Sequence, residues 1–262
     1  MGRRFSSALH SPRVGPHRWP DLNITMLKLQ SWAVRGLRPI GVFTDIDDTL
    51  TTEGAITPDA LQALADLKAA GLCVVPITGR PVGWSEPFVQ SWPVDAIVAE
   101  NGAVALQRGS AEGPAALPLS KLYLQDAPTR QTNFARMQSV AARVLREVPG
   151  ATLAQDSPGR ETDIAIDHSE FSHLPPSAID AVVRILRSEG MSATVSSIHI
   201  NGWFGGHNKL EGARWIVREL YGRDLNTEMD AWAYVGDSTN DQLMFAHFTN
   251  SVGVANIRRF EA

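Results

Sequence analysis

The 262-residue sequence contains only one cysteine, Cys73, and therefore cannot form a disulfide within the chain. This excludes a disulfide-stabilised fold and favours a reducing, cytoplasmic location. Cys73 lies in the apolar run LCVVPI, where we expect a buried structural thiol instead of a reactive one. No apolar run approaches the roughly 18 residues of a membrane span, so no membrane partner is predicted.

Positive charge is not in excess either, since 24 Lys and Arg against 28 Asp and Glu give a net charge of −4. Proteins that bind nucleic acids usually carry a basic surface, so no nucleic-acid partner is predicted. The chain does have 44% hydrophobic residues, enough for one large domain or two modest ones. The oligomeric state cannot be inferred from these features.

The first 38 residues differ in composition from the rest of the chain. They are rich in Arg, Ser and Pro and contain no acidic residue before Asp21. We expect residues 1–38 to form a disordered extension that precedes the folded part.

The alternation of apolar runs and helical patterns predicts a parallel sheet. RPIGVFTDID indicates a strand buried on both faces, TPDALQALADLKAAG a helix capped by Thr57, and LCVVPITGR a second buried strand. A strand–helix–strand unit of this kind favours parallel pairing. AIVAENGAVAL then predicts a hairpin around Asn101-Gly102.

The middle of the chain has a different pattern, in which the order helix, strand, strand occurs twice. We interpret residues 110–203 as an α+β insert, after which KLEGARWIVRELYG and AWAYVGDSTND resume the first pattern as a helix and a strand. The predicted fold class is therefore α/β. A Rossmann-like parallel-sheet domain formed by residues 39–109 and 204–262 is interrupted by the insert.

Polar residues follow the predicted core strands at their carboxyl ends, where ligands bind in parallel α/β sheets. Asp45, Asp47 and Asp48 follow the first strand, the Thr78-Gly79-Arg80 segment the second, and Asp237 a later one. Lys209 begins the helix that resumes the first pattern. We expect these groups to converge at one edge of the sheet.

The chemistry of this set suits phosphate esters. Carboxylates at close range need a cation, and hard oxygen ligands suit Mg²⁺. One carboxylate can attack phosphorus, and a second one, two residues further on, can exchange protons with the leaving group and water. Each signal alone is common, since Asp-rich turns and surface lysines are ordinary features. Their occurrence together, in this order, is much more specific.

The motifs DIDDT, ITGR, Lys209 and GDSTND resemble, in that order, the four motifs of haloacid dehalogenase superfamily phosphatases. The resemblance covers residues 40 to about 256. The insert between the second and third motifs is similar to the cap domain of the type IIB subgroup, which includes sugar-phosphate phosphatases. The resemblance implies a Mg²⁺-dependent phosphomonoester hydrolase that acts on a small phosphorylated metabolite, such as a sugar phosphate or a glycosyl-glycerate phosphate.

The resemblance also implies roles for individual residues. Asp45 would be the nucleophile, and Asp47 the general acid and base. The metal ligands would be Asp45, the backbone carbonyl of Asp47, and Asp237. Thr78 and Lys209 would hold phosphate and neutralise charge. Supporting or substrate-binding positions would be Thr49, which also positions Asp47, together with Gly79, Arg80, Asn101, Asn240 and Asp241.

One departure from the family pattern and one group of insert residues add to this hypothesis. Many relatives have Gly at the position of Asp48, so its carboxylate either caps a turn or lies behind the site. On the last predicted strand of the insert, His199 and Asn201 are candidates for binding sugar hydroxyls, and Trp203 for stacking on a sugar. They are equally compatible with ordinary strand-surface and core positions. The Gly-containing segments RGSAEGP and NGWFGGHN are the expected hinges of the insert.

Two alternatives remain open at this point. A sugar phosphomutase needs the same residues, and a non-catalytic sugar-phosphate sensor would need fewer of them. A dehalogenase is disfavoured because dehalogenases in this superfamily do not need the second acid, and Asp47 is present.

Overall fold

The computed structural model describes residue 36 and residues 38–109 and 119–260. The predicted extension at 1–38 lies outside the described residues except for positions 36 and 38. Most of the predicted hinge RGSAEGP lies outside them as well.

Four parallel strands form the first sheet. Their order is β13 (Asn250–Gly253), β12 (Trp232–Gly236), β1 (Gly41–Thr44) and β4 (Cys73–Pro76). The central strand β1 is buried along its whole length, and Phe43 is paired with Tyr234 on one side and Val75 on the other. The prediction of a parallel sheet with both faces covered is confirmed. Cys73 is a half-buried strand residue.

An antiparallel meander extends this sheet beyond β4, through a bridge between Ile77 and Val98. It consists of β5 (Ala96–Ala99), β6 (Val104–Arg108) and β7 (Leu119–Tyr123). The predicted hairpin at Asn101-Gly102 joins β5 to β6. Glu100, Asn101 and Gly102 all have positive φ in this turn, which brings the chain back sharply toward the sheet.

Helices and a small hairpin complete this part of the chain. They are β2 (Thr51–Thr52), β3 (Ala55–Ile56), α1 (Pro58–Ala69), α2 (Val82–Ser91), α5 (Lys209–Tyr221) and α6 (Gln242–His247). The Thr57 hydroxyl caps α1 as predicted, since it accepts a hydrogen bond from Ala60 N. Helix α2 is not predicted by the sequence pattern, because it contains Pro87 and has no side-chain cap.

The insert has its own antiparallel sheet with two helices. Its elements are α3 (Ala127–Glu147), β8 (Thr152–Leu153), β9 (Ile164–Asp167), α4 (Pro176–Ser188), β10 (Ser192–Val195) and β11 (His199–Trp203). The strand order is β10-β11-β9-β8. The order helix, strand, strand thus occurs twice, as the sequence pattern predicts.

The apolar core of the insert is separate from that of the first unit. One cluster of buried residues lies between Met137 and Phe204, and the two other clusters draw on residues outside this range. Strand β7 pairs with β6 and packs in the first unit. We therefore propose that the insert begins near Asp126, the N-cap of α3, instead of at residue 110. Among the described residues, no helix is both long and apolar enough to cross a membrane.

A close backbone contact fixes the start of α5 against the β5–β6 turn. A Cβ added at Gly212 would lie 2.5 Å from the Cα of Gly102, and one at Gly102 would lie 2.3 Å from the carbonyl oxygen of Asn208. Only glycine permits this approach. It places Lys209, the first residue of α5, beside the carboxyl edge of the sheet.

Replacing Gly212 by Ala should therefore destabilise the protein. The methyl group would overlap backbone atoms that cannot move independently, and overpacking of this kind costs about 1–3 kcal/mol. This loss should exceed the gain of up to about 1 kcal/mol that Ala brings to a helix interior. Urea unfolding of Gly212→Ala against the unmodified protein measures the difference.

Gly206→Ala is the matched control, because a Cβ at Gly206 meets no atom within 4 Å. We expect its unfolding free energy to stay within about 0.5 kcal/mol of the unmodified protein. If Gly212→Ala were as stable as Gly206→Ala, the close approach of α5 to the turn would be contradicted.

Candidate active site

Asp45 follows β1 directly and is buried, with 4% of its surface exposed. Its backbone N–H donates to the carbonyl of Val235, which continues the pairing with β12 by one residue. The chain then turns tightly, because the carbonyl of Ile46 accepts hydrogen bonds from the backbone N–H groups of Thr49, Leu50 and Thr51. The turn holds the Asp45 carboxylate at the carboxyl edge of the sheet.

Lys209 reaches the same edge from the first turn of α5. The side chain of Asn208 caps this helix by accepting a hydrogen bond from Glu211 N. The Lys209 ammonium lies 2.7 Å from Asp45 Oδ1 and 2.6 Å from Asp241 Oδ1. All three side chains are buried, so the ammonium compensates part of the negative charge where water does not screen it.

Asp241 is held by four donors, more than any other acid at this edge. It accepts hydrogen bonds from Lys209, from the Tyr234 hydroxyl, and from the backbone N–H groups of Asp237 and Ser238. Its two oxygens are therefore occupied by the protein itself. Asp241 fixes the loop after β12 and orients Lys209 toward Asp45.

Asp237 differs from Asp241 because one of its oxygens is not bonded. Thr49 Oγ1 donates to Asp237 Oδ1 over 3.3 Å, whereas Asp237 Oδ2 is buried and has no hydrogen-bond partner among the described residues. An uncompensated buried carboxylate oxygen is costly, and a cation is its natural partner.

The charge of the cluster also suits a divalent cation. Oxygens of Asp45, Asp237 and Asp241 lie within 4.8 Å of one another, and all three residues are buried. Lys209 compensates one of these three carboxylates, so two negative charges remain. The residues therefore fit a hard divalent cation bound by Asp45 and Asp237, while Asp241 supports them from behind.

Burial controls the protonation of these groups in the absence of a cation. Burial raises the pKa of Asp45 well above its ordinary value, although the Lys209 ammonium opposes this shift. Burial also raises the pKa of Asp237 to about 6, and the charge of Asp241 adds to the effect. Burial alone would lower the pKa of Lys209, but Asp241 and Asp45 hold it above its ordinary value.

Asp47 lies on the turn after Asp45 and is held by Arg80. Arg80 Nε donates to both carboxylate oxygens of Asp47, over 3.0 and 3.1 Å. The Arg80 guanidinium also contacts Asp156 and Glu170 of the insert. Negative neighbours, Asp47 first among them, hold the pKa of Arg80 above its ordinary value despite its burial.

The Thr78-Gly79-Arg80 segment follows β4 and meets the insert directly. The buried Thr78 hydroxyl accepts a hydrogen bond from Arg80 N. The Gly79 carbonyl accepts from Arg160 Nη1 over 3.0 Å and from Asn201 Nδ2 over 3.4 Å. The predicted substrate residues Gly79 and Asn201 thus take part in contacts between the two units.

Asp163 is the buried centre of this contact. It accepts hydrogen bonds from Arg160 over 2.8 Å, from Asn201 over 3.0 Å and from Asn101 over 3.4 Å. Glu100, the preceding turn residue, accepts hydrogen bonds from the backbone of Val82, Glu161 and Thr162 and from the Thr162 hydroxyl.

His199 completes the wall of the site on the insert side. Its Nε2 lies 2.7 Å from a carboxylate oxygen of Glu170, and only 2% of the residue is exposed. The enclosed cavity measures about 10 Å³, room for about one water molecule. It is lined by Asp45, Asp47, Gly79, Arg80, Ser196, Ser197, Ile198, His199, Asn201 and Asn240. Hence the structure represents a closed arrangement of the two units.

Asp48 has a left-handed backbone, with φ of 58°. Among the amino acids, Gly and Asp both tolerate this conformation. Its carbonyl accepts a hydrogen bond from Asn256 Nδ2 over 2.6 Å. Asn240 accepts a hydrogen bond from the Ser238 hydroxyl within the loop after β12.

Thr49 does not make the contact with Asp47 that the resemblance implies, and of the two alternatives for Trp203 the core position holds. The Thr49 hydroxyl bonds to Asp237 and not to Asp47, which is held by Arg80 instead. Trp203 is 2% exposed in the insert core, and its indole N–H donates to the carbonyl of His207, so it does not present a face for a sugar.

Sequence reasoning missed five residues that shape the site. They are Tyr234, Asp156, Arg160, Asp163 and Glu170. The last four lie in the insert, far from the motifs in sequence and without a distinctive spacing. Only the tertiary contact between the two units brings them to the site.

Comparison with known proteins agrees with this geometry. A family model described as haloacid dehalogenase-like hydrolase matches residues 42–120. The structure of protein 0175 from Thermoplasma acidophilum aligns with a TM-score of 0.63 at 16% identity, covering 85% of this chain and 89% of that one. No curated protein matches the sequence.

Two sugar phosphatases have a similar structure. Sucrose-phosphatase from Synechocystis sp. PCC6803, in complex with sucrose and phosphate, has a TM-score of 0.57 at 15% identity over 84% of both chains. The subclass IIB sugar phosphatase BT4131 has a TM-score of 0.56 at 16% identity, covering 84% of this chain and 90% of that one. These alignments extend over the insert as well as the parallel sheet.

This chain has the fold of a haloacid dehalogenase-like hydrolase. The resemblance drawn from DIDDT, ITGR, Lys209 and GDSTND is thus confirmed at the level of the fold. In this haloacid dehalogenase-like chain, the cluster of Asp45, Asp237 and Asp241 is a candidate site for a divalent cation.

The buried carboxylate between the two units should make the stability of this protein depend on pH. Burial raises the pKa of Asp163 to about 7, although Arg160 opposes the shift. The pKa of an aspartate in an unfolded chain is about 3.9, so the folded state binds the proton more tightly. Stability contributed by Asp163 should therefore fall as the pH rises from about 4 to about 7.

Asp163→Asn removes this titration while keeping the shape of the side chain. Between pH 5 and 7.5, its unfolding free energy should fall by about 1–3 kcal/mol less than that of the unmodified protein. Urea unfolding at several pH values gives both curves. Parallel curves would show that Asp163 does not titrate in this range.

Proposed function

We propose that this protein hydrolyses phosphate monoesters of small metabolites, with sugar phosphates as the substrate class, through an aspartyl-phosphate on Asp45. One observation carries the proposal. The carboxylate of Asp45 is fixed at the edge of the sheet by Lys209, beside a buried Asp237 oxygen that has no protein partner. This arrangement combines a nucleophile, a positive charge and a site for a cation.

Mg²⁺ is the proposed cation because the donors are hard carboxylate oxygens. Asp45 and Asp237 would hold it, together with the backbone carbonyl of Asp47. When bound, the cation supplies positive charge that polarises the phosphoryl group and favours the carboxylate form of its ligands.

In the first step, a carboxylate oxygen of Asp45 attacks phosphorus, and the bond from phosphorus to the ester oxygen breaks. Asp47 donates a proton to the departing oxygen, which leaves as an alcohol. Lys209 offsets the charge on Asp45 and on the phosphoryl group. In the second step, Asp47 takes a proton from water, which attacks phosphorus, and inorganic phosphate leaves as Asp45 is restored.

The closed insert supports a small substrate. A cavity of about 10 Å³ does not hold a phosphate ester, so the insert must move away to admit one and return around it. Such closure accommodates a metabolite but not a folded phosphoprotein or a nucleic acid. Two structural neighbours are described as a sucrose-phosphatase and a sugar phosphatase, which favours a polyhydroxylated substrate.

His199 is the proposed sugar contact on the insert, because it lines the cavity next to Arg80 and Asp47. Asn201 lines it too, but its amide is bonded to Asp163 and Gly79 in the closed state. We also propose that the protein works in the cytoplasm, since its single cysteine gives it no means of forming an intrachain disulfide.

Replacing Asp45 by Asn should lower the rate of hydrolysis by several orders of magnitude, since the amide keeps the shape but cannot attack phosphorus. The measurement is phosphate release from a panel of sugar phosphates and from p-nitrophenyl phosphate. Removing divalent cations with a chelator should also stop the reaction, and Mg²⁺ should restore it.

Asp230→Asn is the control for expression and handling, because Asp230 lies on the turn before β12, away from the cavity. Its turnover should match that of the unmodified protein. Turnover of Asp45→Asn at the same level would refute the proposed nucleophile. Isomerised sugar phosphate in place of free phosphate would identify a mutase instead.

Replacing His199 by Ala should raise KM for the best sugar phosphate, because a polar contact to the sugar is lost. KM for p-nitrophenyl phosphate should change little, since this ester has no sugar hydroxyls. Steady-state kinetics on both substrates provide the comparison. Equal changes for the two esters would argue against a sugar contact at His199.

A further inference from the structure

The geometry points to Asp156 and Glu170 as positioning residues that act on Asp47 through Arg80. This inference rests on the proposed function, in which Asp47 exchanges protons with the leaving group. It assigns a role to two acids of the insert that carry no sequence motif. They make the correct placement of Asp47 conditional on closure of the insert.

The Arg80 guanidinium is surrounded by three carboxylates from different parts of the chain. Nε donates to both oxygens of Asp47 and Nη2 lies 2.9 Å from Asp47 Oδ1, so the pair is bidentate. Nη1 lies 3.2 Å from Asp156 and Nη2 lies 2.8 Å from Glu170. The planar group has fixed donor directions, so the two insert acids set the plane in which it meets Asp47.

Both insert acids are themselves held in place. Asp156 accepts hydrogen bonds from Arg160 Nε and Nη2, and the same guanidinium bonds to the carbonyl of Gly79. Glu170 bonds to His199 and lies on a turn built around Asp167. The oxygens of Asp167 accept the backbone N–H groups of four successive residues, 169–172. Asp156 thus holds Nη1 of the Arg80 guanidinium, and Glu170 holds Nη2.

Opening of the insert separates Arg80 from both acids at once, because Arg80 belongs to the parallel-sheet unit. The guanidinium then keeps its contact with Trp84, 5.0 Å from the ring centroid, but loses two of its three carboxylates. The Arg80 side chain then regains rotamer freedom. Asp47 is held by Arg80, so its position becomes less well defined as well. Closure around a substrate restores the alignment, which couples substrate enclosure to proton transfer.

The test uses Glu170→Gln and Asp156→Asn, which keep the side-chain shape and remove the charge. Proton donation matters most for esters with poor leaving groups, such as alkyl phosphates. The rate of alcohol release in a single turnover reports the first step alone, before the second role of Asp47 as base. For a sugar or alkyl phosphate we expect this rate to fall about 10- to 100-fold in each variant, a part of the usual general-acid contribution. For p-nitrophenyl phosphate, whose leaving group needs little protonation, the single-turnover rate of nitrophenol release should change less than about threefold.

Glu189→Gln is the matched control, because Glu189 pairs with Arg143 inside the insert and does not contact Arg80. Its kinetics should equal those of the unmodified protein on both esters. Thermal unfolding of all variants checks the fold, and retained single-turnover cleavage of p-nitrophenyl phosphate gives a second check.

A double substitution separates positioning through Asp47 from any other role. In an Asp47→Asn background, Glu170→Gln should cause no further loss on the alkyl ester, because there is no acid left to place. Equal losses on the two esters, or a further loss in the double variant, would overturn the inference. Failure of the proposed function is distinct, since it would appear as no phosphate release by the unmodified protein.

Discussion

The contacts of the buried Lys209 ammonium with Asp45 and Asp241 hold together the carboxyl edge of the parallel sheet. They join the end of β1 to the loop after β12 through the first residue of α5. A lysine enclosed in this way is stable only because carboxylates surround it, and each carboxylate needs the ammonium in turn. The mutual approach of Gly102 and Gly212 sets the distance of the helix from the sheet. Backbone packing and charge pairing therefore act on the same few residues.

The two units of the chain meet through polar groups, whereas their apolar clusters stay separate. Glu100, which has positive φ, accepts hydrogen bonds from the insert on both of its carboxylate oxygens. Asp163 of the insert accepts a hydrogen bond from the side chain of Asn101. Polar interfaces of this kind allow relative motion more readily than large apolar ones. The cavity of about 10 Å³ between the two units has room for about one water molecule, so a larger molecule enters only after such motion. The polar contacts that hold the two units together are thus suited to reversible opening.

Much of the fold could be predicted because it depends on local patterns. Buried runs ending in Asp45, Thr78 and Asp237 indicated parallel strands, and the capping signals of Thr57-Pro58 and the twofold helix, strand, strand order indicated the helices and the insert. Helix α2 escaped prediction because Pro87 interrupts its pattern. Strand β7 was assigned to the insert because the sequence does not show its pairing with β6, which is a long-range contact.

By itself, the sequence determined which groups gather at the carboxyl edge. Asp45 and Asp237 follow parallel strands and Lys209 begins a helix of the same unit, so their placement does not depend on the conformation of the insert. Only the tertiary structure decided how those groups are held. Thr49 turns to Asp237, Arg80 takes Asp47, and Trp203 packs inward. These outcomes follow from distances between segments far apart in the chain, such as the 2.8 Å from Arg80 to Glu170. Residue order encodes such distances only through the packing of the whole molecule, since the energy of each contact depends on the partners that folding brings together.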